Sequence, residues 1–192
     1  MTATPDLAAM LAEAGKANAA RRWSYAVAVG AVGATAVWAA WAHLGSDDLA
    51  VAAMAGFCLT ALSAVDAKHK RLPNEGTLSA AALGLFAAFM ADGTAGLGRA
   101  AAGSALTFLV LFLVKLVARR SLGWGDVKLG LALGAFGGYF GAPVVLFGIC
   151  AGLVLNGLVG ALFLVTRHAQ WGAKLALGPS LSIGLLAAIA LV

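Results

Sequence analysis

Charged residues in this chain come in clusters, and the intervals between the clusters are about the length of a bilayer crossing. No charge falls from Trp23 to Ala42, from Leu49 to Val65 or from Gly76 to Ala91. The next apolar run, Ala100 to Ala118, is broken only by Lys115, whose long stem lets its ammonium snorkel toward an interface. Leu129 to Thr166 carries no charge at all and is too long for one helix. It contains Gly137-Gly138-Tyr139-Phe140-Gly141-Ala142-Pro143, a set of turn formers that divides it into two short helices. A last run covers Leu175 to Val192. Since a span takes about 20 residues, with about 17 at the lower end, the pattern predicts an all-α polytopic membrane bundle of about seven transmembrane helices. The third and fifth are the short ones.

Composition narrows the class further. Apolar residues make up 62% of the 192 and charged residues 11%, with a mean hydropathy of +0.94. A soluble domain carries roughly a quarter charged residues, so this chain cannot cover itself with polar surface, and a lipid bilayer is its expected partner. Placing the N-terminus in the cytoplasm puts Lys16, Arg21, Arg22, Lys68, Lys70, Arg71, Arg119, Arg120, Arg167 and Lys174 on the cytoplasmic side. Lys115 and Lys128 lie near the same face, Arg99 falls outside, and Asp47, Asp48 and Asp92 fall in external turns. The expected topology is N-in and C-out, in the cytoplasmic membrane of a prokaryotic cell. The net charge of +5 then reflects topology. Nucleic acid is not an expected partner, because the basic residues are spread over several loops without a groove or an aromatic platform.

Residues 1–22 differ from the rest and are separated as a cytoplasmic or interfacial segment, leaving 23–192 as the membrane-embedded domain. They lack the basic-then-apolar order of a cleaved signal peptide, so Met1 is expected to begin the mature protein. Leu7, Met10, Leu11 and Ala14 share a helical face suited to the interface; a disordered tail is the other reading. Cys58 and Cys150 form no CxxC pair and are expected to be small buried hydrophobes, with no metal site and no cofactor implied. Gly130, Gly134 and Gly138 recur every four residues, as do Gly148, Gly152, Asn156 and Gly160. That spacing predicts close backbone packing, with Asn156 in an interhelical hydrogen bond.

Of the eight acidic residues, most have plain explanations. Asp6 and Glu13 sit in the N-terminal segment, and Asp47, Asp48 and Asp92 mark turns. Glu75, following Pro73-Asn74, suits the first turn of a helix. Asp66 ends the second span in SAVDAKHKRLPN, and Asp126 opens the fifth in GWGDVKLG. Both are placed at one depth near the cytoplasmic face, and both are followed two residues on by a lysine, Lys68 and Lys128. Either could be a helix cap or a topology marker. Two carboxylates close together in a partly desolvated site would instead share a proton, a state suited to hydrolysis. The neighbouring lysines would oppose that by favouring the ionised forms. No Ser–His set competes: Ser121, His43, His69 and His168 occupy different loops. Gly123 and Gly125, on either side of Trp124, permit a sharp bend or a close approach of another backbone beside the acid, or an ordinary interhelical turn.

At these residues the chain resembles the type IV prepilin peptidases, membrane aspartic proteases of the GxGD type, and most of all their short forms associated with Flp/Tad pili. The family's first aspartate precedes a basic stretch ending in Pro-Asn, as in Asp66-Ala67-Lys68-His69-Lys70-Arg71-Leu72-Pro73-Asn74. Its second sits in GxGDxKL, matched by Gly123-Trp124-Gly125-Asp126-Val127-Lys128-Leu129. A looser likeness covers Gly178-Pro179 before the last span. The resemblance implies that Asp66 and Asp126 are the catalytic pair, with Lys68, Pro73, Asn74, Gly123, Gly125, Lys128, Gly178 and Pro179 as supporting motif residues. It implies cleavage of the basic leader from a prepilin substrate at the cytoplasmic face. Many long members carry paired cysteines after the first span, associated with N-methylation; here the expected link between the first two spans is short and cysteine-free, so methyl transfer is not implied. A proton- or cation-coupled transporter, a noncatalytic pilus-assembly factor and a presenilin-like protease are the alternatives. For the last, Val65 stands where a tyrosine is expected and no PAL motif follows.

Overall fold

A computed structural model describes residues 45–69, 74–117, 122–165 and 177–191, all helical apart from short connections. In chain order the helices are α1 (Ser46–His69), α2 (Asn74–Val117), α3 (Trp124–Phe140), α4 (Ala142–Val165) and α5 (Gly178–Ala190). Ala, Leu, Val and Gly offer no partners to the backbone, and a bilayer offers none either, so each segment satisfies its own amides by winding into a helix. By length and composition three of the five can cross a membrane: Ser46–Asp66 of α1, all of α2, and Ala142–Leu162 of α4. The expected first span, Trp23 to Ala42, and the proposed interfacial helix before it lie outside the described residues. So do Pro73 and most of the basic residues that set the expected topology.

The 44-residue α2 is two helices joined at a break. Asp92 (φ −142°, ψ 30°) and Gly93 (φ 56°, ψ −140°) leave helical geometry, and Gly93 takes a left-handed conformation that a side chain would disfavour. A straight helix would put residues 84 and 103 about 28 Å apart at 1.5 Å per residue. Both instead touch one turn of α3: a Cβ on Gly84 would stand 3.0 Å from Ala135 Cβ, and one on Gly103 would stand 2.5 Å from Gly134 O. So α2 is a hairpin whose two arms flank α3, matching the separate runs 76–91 and 100–118 read in the sequence.

The glycine stripe of α3 is where that packing is closest. Added Cβ atoms on Gly134 and Gly138 would run into the backbone of Gly103 and of Arg99 in the second arm, and one on Gly130 into Leu111. On α4, Gly148 and Gly152 do the same against Leu185 and Leu181 of α5, and Gly184 answers them from α5. Ser180 Oγ approaches Asn156 Oδ1 at 3.5 Å across this interface. α3 and α4 are joined by the single residue Gly141, whose φ of 120° lets its N–H turn back to Gly137 O and Gly138 O.

Cys58 is buried as expected, but Cys150 is exposed. α4 turns one face to its neighbours and leaves the other open, with Leu146, Phe147, Val154, Leu158 and Leu162 exposed beside the cysteine. Apolar residues on a membrane helix need no protein cover, so hydrophobicity alone does not mark them as core.

Candidate active site

One end of the bundle gathers the ends of four helices. Asp66 lies in the last turn of α1, Asn74 opens α2, Lys115 lies in its final turn, Asp126 is in the first turn of α3, and Gly178 begins α5. The hairpin form of α2 is what brings residues 74 and 115 to the same end.

Asp66 is only 6% exposed. Its Oδ2 is buried without a hydrogen-bond partner among the described residues, and the Gly178 backbone amide faces the carboxyl group. A Cβ on Gly178 would stand 2.8 Å from Asp66 Oδ2 and 3.4 Å from a Leu129 methyl. A side chain at position 178 would therefore have to displace the Asp66 carboxyl. Leu129 lies one helical turn beyond Asp126, so α1, α3 and α5 meet around the Asp66 carboxyl. One turn back along α1, Ser63 Oγ donates to Ser182 Oγ at 3.1 Å, a buried tie between α1 and α5. It holds Asp66 against the start of α5, where the helix dipole presents positive potential. Pro179, buried at the second position of α5, suits a place where no amide partner is available.

Asp126 is partly buried, and its Oδ2 accepts the Gly123 N–H at 3.1 Å. The carboxylate thus closes the start of α3 as a cap, through one oxygen. Its charge reaches Asp66, so the two acids lie within electrostatic range of each other. Gly125 lies in the same first turn.

The lysine arrangement differs from the sequence expectation. Lys128 does not serve the acid beside it: its Nζ donates to Asn74 Oδ1 at 2.7 Å, joining the start of α3 to the start of α2. Thr77 Oγ1 in turn donates to Asn74 O at 3.1 Å. Among the described residues, the cation whose charge bears on Asp126 is Lys115, from the far arm of α2. Its Nζ donates to Leu122 O at 2.8 Å and stands 4.9 Å from the centre of the Trp124 ring. The sequence showed Lys115 only as an interruption in an apolar run. The lone charge in that run, level with GWGD in the expected topology, was the available signal.

Of the residues singled out in the sequence, Asp66, Asn74, Gly123, Gly125, Asp126, Lys128, Gly178 and Pro179 come together at this end. Pro73 and the side chain of Lys68 lie outside the described residues. Among the described residues no group of three or more His, Cys, Asp or Glu side chains could hold a metal ion.

Residues 53–165 match the type IV leader peptidase family. The chain is similar to the prepilin leader peptidase/N-methyltransferase of Pseudomonas putida, 32% identical over 151 residues, which is 75% of this chain and 50% of that protein. It is similar to the proteins of the same name from Pseudomonas aeruginosa, 34% identical over 130 residues (65% and 43%), and Xanthomonas campestris, 35% identical over 131 residues (65% and 44%). The chain spans about half the length of these curated relatives. No solved structure matches it.

Proposed function

This chain belongs to the type IV leader peptidase family, and from that we propose that it is a membrane aspartic endopeptidase whose catalytic pair is Asp66 and Asp126. Its substrate is a prepilin, cut between the basic leader and the hydrophobic N-terminal helix on the cytoplasmic side of the cell membrane. The observation that carries the reading is the buried Oδ2 of Asp66, without a hydrogen-bond partner among the described residues, set against Gly178 and within charge range of Asp126. A buried acceptor without a donor costs about 1–3 kcal/mol. Such a group calls for an explanation, and a catalytic role is one that also accounts for the second acid beside it.

Two carboxyl groups within charge range of each other hold one proton between them more easily than two negative charges. The ionised member takes a proton from water as the water oxygen attacks the scissile carbonyl carbon, and the protonated member donates a hydrogen bond to the carbonyl oxygen. Collapse of the tetrahedral adduct breaks the C–N bond. A proton passes to the departing nitrogen, which becomes the new N-terminus of the pilin. Gly178 lets the start of α5 lie directly against the Asp66 carboxyl, and Lys128 with Asn74 ties the two helix starts that flank the site.

Both acids sit at one end of the bundle, which favours this reading over a transport path through the bilayer. Cleavage is proposed without methyl transfer, since the expected Ala42–Leu49 link has no cysteines. The test is incubation of purified protein in proteoliposomes with candidate prepilins, alongside Asp66→Asn and Asp126→Asn. Each variant is expected to reach the membrane and to lose cleavage by about 10²-fold or more. Full activity in either one rejects the pair.

A further inference from the structure

Lys115 and Trp124 are the two residues near the site that neither the family motifs nor the mechanism above uses. Lys115 is the one charge between Ala100 and Ala118, and Trp124 is a bulky residue between two glycines that remains 58% exposed. A lysine in an apolar run usually sends its ammonium to the interface. An exposed tryptophan at that depth usually belongs to the interfacial belt. Neither habit requires the two to touch.

They do touch, and around a particular atom. The ammonium of Lys115 donates to Leu122 O at 2.8 Å and stands 4.9 Å from the Trp124 ring centre. Phe112, three residues before Lys115 on the same arm, also meets the indole, its ring 6.2 Å from Trp124 and 6.1 Å from Phe108. Between Leu122 and Trp124 lies Gly123, whose N–H donates to Asp126 Oδ2. One cation therefore holds the residue before and the residue after the donor that fixes the Asp126 carboxylate. Glycines at positions 123 and 125 leave this turn little rigidity of its own, so its shape depends on what grips it from outside.

We propose that Lys115 is a positioning residue for Asp126, acting through Leu122 O and the Trp124 ring to hold the GWGD turn in its working shape. The inference rests on the peptidase reading for its catalytic consequence, though not for the contact itself. A reacting carboxylate must be held within about 0.5 Å of its productive place, and displacement by about 1 Å can cost on the order of 10²-fold in rate. Trp124 is then the lid of a cation contact, which explains an aromatic ring at the variable position of the motif.

The experiment compares Lys115→Met, Lys115→Arg, Trp124→Ala and Trp124→Phe with the wild type and Asp126→Asn, as full chains in proteoliposomes. Leader cleavage is resolved into kcat and KM, and acrylamide quenching of Trp124 is read in a chain whose other tryptophans, Trp23, Trp38, Trp41 and Trp171, are phenylalanine. Lys115→Met is expected to lower kcat by about tenfold or more with KM nearly unchanged, because the substrate's own contacts remain. Lys115→Arg recovers most of that loss, Trp124→Phe is less impaired than Trp124→Ala, and Lys115→Met makes Trp124 easier to quench. An unchanged kcat in Lys115→Met overturns the proposal. So does a loss that Lys115→Arg leaves unrepaired and that follows only the amount of protein in the membrane, or quenching that does not respond. If the wild type and Asp126→Asn cleave alike, the peptidase reading fails instead, and quenching still decides whether Lys115 grips the turn.

Discussion

The two ends of the bundle are made from the same kinds of residue and treat them differently. At the end away from the candidate site, Asp48 of α1, Asp92 and Arg99 of the α2 hairpin and Tyr139 of α3 form a closed set. Tyr139 Oη donates to Asp48 Oδ1 at 2.5 Å, Arg99 Nε donates to Tyr139 O at 3.1 Å, and Arg99 Nη2 pairs with Asp92 Oδ2 at 2.8 Å. The Arg99 guanidinium also lies 5.4 Å from the Tyr139 ring centre. At the candidate site there are again two acids, a cation and an aromatic ring, drawn from the same three helices. Here Lys115 is bound to a carbonyl and a ring and Lys128 to the Asn74 side chain, and the more buried acid has an oxygen with no partner among the described residues. A closed set spends its hydrogen bonds on holding helices together. The open set leaves a carboxyl oxygen without a partner among the described residues, available to a group outside the fold.

The comparison can be broken most decisively by exchanging acids for amides. Asp66→Asn and Asp126→Asn are expected to remove cleavage, whereas Asp48→Asn leaves cleavage close to wild type; a loss at Asp48 equal to that at Asp66 would erase the distinction between the ends. Next in size is Gly178→Ala. Its methyl would stand 2.8 Å from Asp66 Oδ2, so cleavage should fall by about ten- to a hundredfold through a displaced carboxyl, with thermal unfolding in detergent little changed. Tyr139→Phe should show the opposite pattern, since it strips a hydrogen bond from Asp48. It is expected to cost about 1–2 kcal/mol of stability, read by thermal or denaturant unfolding, while kcat is preserved. Smallest is Asp92→Ala. Its ion pair with Arg99 is about half exposed, with 46% of each side chain accessible, so about 0.5 kcal/mol or less is expected, and less still at high salt.

Most helix positions were legible in the sequence because a bilayer permits little else. An uncharged run of span length must satisfy its own backbone, so the gaps between charges marked α1, both arms of α2, α4 and α5. α3 begins at Trp124, ahead of the uncharged run that starts at Leu129, and Asp126 opens the helix as expected. Asp126 and Lys128 fit inside it because first-turn side chains can reach open backbone donors or neighbouring helix ends, here Gly123 N and Asn74 Oδ1. The exposure of Cys150 was misread for the converse reason, since in lipid an apolar residue is equally at home inside and outside the bundle.

The sequence by itself determined that the chain is helical and membrane-bound, that its close contacts run along glycine stripes, and that Asp66 and Asp126 stand out from the other acids. Those properties follow from local composition and spacing, which the chain carries wherever it folds. Only the tertiary structure decided the partners. Lys128 goes to Asn74, 54 positions away, Tyr139 to Asp48, 91 positions away, and Lys115 to the turn that carries Asp126. Gly178 is set against Asp66 by the packing of α5 on α1, where the Ser63–Ser182 hydrogen bond ties the two helices. Which charge meets which depends on where the α2 hairpin and α5 bring their ends, and no local pattern encodes a distance between segments so far apart in the chain.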